Sequence, residues 1–330
     1  MAEASERAVP APKATLRSSL LAPLKSPAVR ILLTIALVAV VIWRSEPQRL
    51  LADAPRFGIA TLAVGLLLTV PFLYLKSLRW MYMLRYAGIE VGFREASLSL
   101  LGGMGLALLT PARLGEVARV VYLRDPRKLR LSALVMLDKL FDVLVLVLLS
   151  IAGAWRIIGW PVGAVFALIG LTGLVAVLFP RTLHRLFVPV EGRFPWNGRT
   201  REIVASLESL SFAASLLYLS LTVVAFAVVM LQFGIIIHGS AHVNPGVGLL
   251  TFPLVILTNV IPLTIAGVGI REGAAVLLLG QFHVAAAIAA ISAFAMFFLN
   301  TALPGIVGAL LAPIMLRRRV DPLPDTALPR

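Results

Sequence analysis

The chain has 330 residues, of which 59% are hydrophobic and only 14% charged, with a mean hydropathy of +0.95; a water-soluble domain has too little interior to hide that much apolar side chain. The net charge of +14 would point to nucleic acid only if the basic residues formed one patch on an aqueous surface, but they lie between long apolar blocks, where each can hold anionic lipid headgroups. With no cysteine, disulfides, thiolate nucleophiles and Cys-ligated metals are excluded.

In chain order, residues 1–26 are rich in Ala, Pro, Ser and charge and read as a polar tail. Spanning helices are predicted over about 27–43, 57–75, 132–152, 161–179, 211–237 and 283–312, each near the roughly 20 helical residues that a bilayer core requires. A small-x-small cleavage site at Ala52-Asp53-Ala54 lies beyond the polar Arg44, Glu46 and Arg49, so the first apolar segment reads as a retained helix. Residues 317–330 form a basic tail.

Two shorter apolar stretches end in charge and in backbone breakers. One runs from Ala96 to Thr110 and meets Pro111-Ala112-Arg113-Leu114-Gly115-Glu116; the other runs from Val247 to Thr264 and meets Gly267-Val268-Gly269-Ile270-Arg271-Glu272-Gly273. Irregular backbone at membrane depth survives only when it is buried in protein or lines a polar cavity. We therefore read 96–123 and 247–280 as re-entrant or broken helical hairpins, with Pro111, Gly115, Gly267, Gly269 and Gly273 as their turn residues. If both return to their own side, 24 of the 30 Lys and Arg fall on one face of the membrane, the face that carries both termini and that the positive-inside rule assigns to the cytoplasm. If only one of the two crossed, the later basic loops would change sides.

The two stretches also echo each other. Leu109-Thr110-x-Ala112-x-Leu114-Gly115 repeats as Leu263-Thr264-x-Ala266-x-Val268-Gly269, each soon followed by a glutamate. Entry from opposite sides would make them parts of an inverted repeat, with halves about 57–152 and 211–312 inside one membrane domain, 27–316. The expected fold class is an all-α polytopic bundle.

Charge inside apolar segments is costly and marks function or pairing. Arg113, Glu116 and Arg119 share a face at three-residue spacing, as do Asp138 and Asp142 at four, while Lys139 points elsewhere; Arg271 and Glu272 adjoin the second turn. Two readings are open for each group: a headgroup site, or for the first an interfacial ion-pair cluster and for the aspartates a helix N-terminus near the surface. The motif His238-Gly-Ser-Ala-His242 lacks the glutamate of a metalloprotease signature, and Gly102-Gly103-x-Gly105 has no strand context, so neither a metal nor a cofactor is expected.

Four segments resemble the membrane domain of lysylphosphatidylglycerol synthases, the multiple peptide resistance factors, and their stand-alone flippase-like relatives. Arg79-Trp80 resembles an Arg-Trp pair after the second helix, and Thr110 to Arg119 is similar to a Pro-x-Arg-x-Gly-Glu-x-x-Arg signature. Asp138-Lys139-x-x-Asp142 resembles a Glu-Arg-x-x-Asp element, and Gly267 to Gly273 a Gly-x-Gly-x-Arg-Glu-Gly turn. The chain departs from the pattern at Leu106, Ala107 and Leu108, where polar Asn residues are frequent, and at Asn300, where a basic residue is common.

The resemblance implies a lipid-translocating fold of the bacterial inner membrane. Its ligand would be an anionic phospholipid or polyprenyl-linked lipid: Arg113, Arg119 and Arg271 would take the phosphate and Glu116, Glu272, Asp138 and Asp142 would balance them. No soluble transferase domain is expected after Arg330. An integral-membrane transferase on a lipid-linked substrate, and a non-catalytic partner of envelope biosynthesis enzymes, are the alternatives.

Overall fold

The computed structural model describes residues 27–44, 57–180, 208–260 and 267–317, together with Gln48, Ser206 and Thr264. Among the described residues there are ten α-helices and no strand: α1 (Pro27–Arg44), α2 (Ile59–Tyr86), α3 (Phe93–Leu109), α4 (Lys128–Gly153), α5 (Trp160–Leu178), α6 (Phe212–Ala241), α7 (Gly246–Leu257), α8 (Ile270–Gly280), α9 (Ala286–Phe297) and α10 (Leu303–Arg317). The chain is an all-α polytopic membrane bundle. Four stretches are long and apolar enough to cross a bilayer: α2, α5, α6 and the continuous run Ala286–Ala312 formed by α9 and α10. Helix α4, at 26 residues, is also long enough, but every membrane-length window of it contains Asp138, Lys139 and Asp142. Rows of large apolar side chains stand exposed, such as Val165, Leu168, Ile169, Leu171 and Val175 on α5; a surface of this kind is stable against lipid and not against water.

The six expected crossings correspond to α1, α2, α4, α5, α6 and α9–α10. One boundary moves far: the second crossing continues past 75 to Tyr86, so Lys76 and Arg79 lie inside the helix and not in a basic loop. Pro71 sits within α2, where it removes one rung of the hydrogen-bond ladder.

Both expected hairpins are present. After α3 the chain breaks at Thr110 and returns as a 3₁₀ stretch, Pro111–Tyr122. Strand-like order of contact shows the reversal: a Cβ on Gly115 would overlap the Leu106 main chain, one on Gly103 would meet Arg119, and one on Gly102 the Tyr122 ring. Glycine at these sites lets the two arms touch through their backbones. The second hairpin pairs α7, extended by a 3₁₀ turn Thr258–Val260, with α8, and these two pack on each other.

At the centre, α2 and α6 pack antiparallel: Thr61 faces Gly239, Arg79 bonds Thr222 and Tyr86 bonds Ser209. An antiparallel pair requires an even number of crossings between the two helices, which α4 and α5 supply only when the first hairpin returns to its own side. Close backbone contacts also join helices far apart in the chain. Gly153 at the end of α4 abuts the Leu250 carbonyl on α7, and Gly308 on α10 abuts the Leu101 main chain on α3.

Candidate functional site

Helices α2, α4 and α6 and the 3₁₀ stretch bring seven charged residues together inside the bundle. Asp138 lies between two guanidinium groups, 2.5 Å from Arg79 and 2.8 Å from Arg119. Asp142, one turn further along α4, binds Arg79 at 2.8 Å and Lys76 at 2.7 Å. Lys139 pairs with Glu116 and lies 3.8 Å from Asp142. Arg79 donates to the Thr222 hydroxyl and to the Asp138 carbonyl, and Arg119 stacks 3.7 Å from the Trp80 ring centroid. Trp80 is held in turn by its indole N–H, which donates to Ser99.

The spacing explains how the chain builds this. Lys76 and Arg79 are three apart on α2, and Asp138 and Asp142 four apart on α4, so each pair forms a ridge on one helix face. The helices run antiparallel, so the ridges meet in register. Arg79 and Asp138 are each only 1% exposed, where ions are stable only when paired and hydrogen-bonded on several sides. Lys139, with a side chain 34% exposed, is the member nearest the surface. Among the described residues the network holds four cations against three carboxylates, and the Nε atoms of Arg79 and Arg119 remain buried without a hydrogen-bond partner.

A narrow crevice bordered by Phe72, Lys76, Arg79, Asp142, Thr222 and Phe226 runs along the network.

A second polar cluster lies further along the α2–α6 seam. The Gln232 amide donates to the Gly65 carbonyl at 2.7 Å and to Thr69 at 3.2 Å, and Asn300 donates to the Gln232 oxygen at 2.8 Å. Thr69 reaches Asn300 at 3.4 Å. These groups are buried and carry no charge. Three residues of each cluster are arranged alike. In each, a long side chain from one central helix (Arg79, Gln232) meets a threonine of the other (Thr222, Thr69) and a short polar group of the following spanning helix (Asp142, Asn300).

The second glycine turn is a third, separate site. Gly267 and Gly269 have φ of 76° and 89°, a region where a side chain is strained, and a Cβ on Gly269 would press on Leu37 and Val38 of α1. Glu272 accepts the Gly269 N–H at 2.6 Å, capping α8, and pairs with Arg271, which lies 4.4 Å from the Phe297 ring centroid. In the first turn the equivalent N–H, on Gly115, is taken by the Thr110 hydroxyl at 2.6 Å; Thr264, the counterpart of Thr110, is buried with its hydroxyl unpartnered among the described residues.

The structure thus brings Glu116, Arg119, Asp138 and Asp142 together and leaves Arg271 and Glu272 apart: among the described residues no ion pair or hydrogen bond joins the two groups. Pro111 opens the 3₁₀ stretch, and Gly273 lies within α8, where a Cβ would meet only Val41, at 3.9 Å. The side chain of Arg113 lies outside the described residues. Lys76, Arg79 and Thr222 were not among the expected site residues; the i, i+3 spacing of Lys76 and Arg79 was the available signal. His238 bonds the Val243 carbonyl at 2.9 Å.

A family model described as the lysylphosphatidylglycerol synthase TM region matches residues 28–319. No curated protein and no solved structure matches the chain.

Proposed function

The chain belongs to the lysylphosphatidylglycerol synthase transmembrane-region family, and from that premise we propose that it binds an anionic lipid headgroup at membrane depth and carries it between leaflets. The observation that carries this reading is the Lys76–Arg79–Arg119–Asp138–Asp142 network. A buried ion network is a poor source of stability, since apolar residues of equal volume serve as well or better, and charge within spanning segments marks a ligand path. Its excess of cations and its two unpartnered guanidinium nitrogens favour a phosphate, which could exchange with Asp142 on the Arg79 fork without leaving any ion unpaired. Lys139 and Glu116 would guard the outer edge. Arg271 and Glu272, engaged with each other and with the turn, hold α8 in place in this reading, and Asp138, buried between two arginines, keeps the fork in position.

The correspondence between the clusters, and the antiparallel packing of α2 on α6, support an inverted repeat within a single domain, 27–316. The distribution of basic residues supports a bacterial inner-membrane location with both termini cytoplasmic.

Reconstitution tests the reading. Purified protein in liposomes should speed leaflet exchange of fluorescent phosphatidylglycerol, and Arg79→Gln should slow it by about tenfold or more, the equivalent of about 1.4 kcal/mol. Equal rates in protein-free and protein-containing liposomes, with no lipid retained through purification, would sink the proposal.

A further inference from the structure

One helical turn from the ionic network, on a single side of it, the same three helices line a cleft of about 250 Å³ together with Ser206, Ser209 and Leu210, which precede α6. Met83 lies four residues beyond Arg79 on α2, Leu134 four before Asp138 on α4, and Tyr218 four before Thr222 on α6, and all three line it. Its rim carries Arg130, a half-buried residue with no hydrogen-bond or ion-pair partner among the described residues. No carboxylate is among its lining residues. The N-termini of α4 and α6 both open at this end, so two helix dipoles add positive potential there. Tyr86 is fixed at the rim, donating to the Ser209 carbonyl and accepting from the Ser211 N–H, both at 2.9 Å. The floor is Tyr218, edge-on to Phe141 at 5.7 Å between centroids, and its own helix turn presents Thr222 to Arg79 below.

We infer that this cleft is a loading site for a phosphate-bearing anion, with the phosphate on Arg130 and the apolar remainder of an amphiphile against Met83, Leu134 and Leu137. An unpaired guanidinium at the lip of an apolar-walled cleft is complementary to a charged headgroup joined to a hydrocarbon, and to few other ligands. The inference rests on the lipid-handling reading for its ligand class. Tyr218 then separates this outer site from the inner network.

Titration of the full chain in detergent distinguishes the sources of phosphate, using dihexanoylphosphatidylglycerol, dihexanoylphosphatidylcholine and inorganic phosphate as separate probes. Arg130→Gln should weaken phosphatidylglycerol binding about tenfold, whereas Arg94→Gln, at an exposed arginine on α3, should leave it unchanged. Met83→Trp, which fills the cleft without altering charge, should weaken the lipid and spare inorganic phosphate. Binding of inorganic phosphate as tight as that of the lipid, and indifferent to Met83→Trp, would overturn the lipid assignment. Equal effects of Arg130→Gln and Arg94→Gln would overturn the site. Arg130 touches no member of the ionic network, so the two proposals fail separately: Arg130-dependent binding without leaflet exchange removes the transport reading alone, and exchange with Arg130-independent binding removes the cleft alone.

Discussion

The Arg79 cluster and the Gln232 cluster both tie α2 to α6, yet one is ionic and the other neutral. Both join α2 to α6 and to the next spanning helix, and both are buried. The neutral cluster satisfies its groups with amides, a hydroxyl and a carbonyl, so polar complementarity suffices at that seam without charge. In the reading proposed above, the ions at the other position serve a ligand as well as the frame, which would offset the desolvation they incur.

Several substitutions would break or sharpen that contrast. Asp138→Ala should have the largest effect, because it strands the buried Arg119 guanidinium and removes one of the two carboxylates on Arg79; a loss of about 3–5 kcal/mol is expected, read as a lower unfolding temperature in detergent. In the neutral cluster Gln232→Ala should cost about 1–3 kcal/mol, the penalty of losing its buried bonds to Gly65, Thr69 and Asn300, while leaflet exchange by the surviving protein is unchanged. Slowing of exchange as severe as that of Arg79→Gln would erase the distinction between the halves. A charge transplant probes it from the other direction: Gln232→Arg alone should destabilise, and adding Asn300→Asp should recover about 0.5–3 kcal/mol in a double-mutant cycle. Lys139→Gln should be the mildest, below about 1 kcal/mol, since its partly exposed ammonium is screened.

How much of this was legible in the sequence follows from the range of the interactions. The hairpins announced themselves through local breakers, Pro111, Gly115, Gly267 and Gly269, and the aspartate ridge through the spacing of Asp138 and Asp142. Lys76 and Arg79 read as the start of a basic loop because hydropathy falls wherever charge begins; the carboxylates that keep them inside α2 are supplied some sixty residues later. Gln232 and Asn300 escaped notice for the opposite reason, being single neutral groups in helices apolar enough to conceal them. The expectation that Arg271 shares a phosphate with Arg113 and Arg119 came from the family resemblance; in the structure Arg271 pairs with Glu272, and Arg119 with Asp138. The capping of the two glycine turns differs, too: a threonine takes the orphan N–H in the first, and a glutamate already paired with Arg271 takes it in the second.

Pro71 lies on α2 between Thr69 of the neutral cluster and Lys76 and Arg79 of the ionic one. With one rung missing there, torsional compliance along the helix concentrates at that residue. In the transport reading, the segment bearing Thr69 would stay anchored to Gln232 while the segment bearing the cations tilts, with the elbow of a jointed rod between its two fastenings.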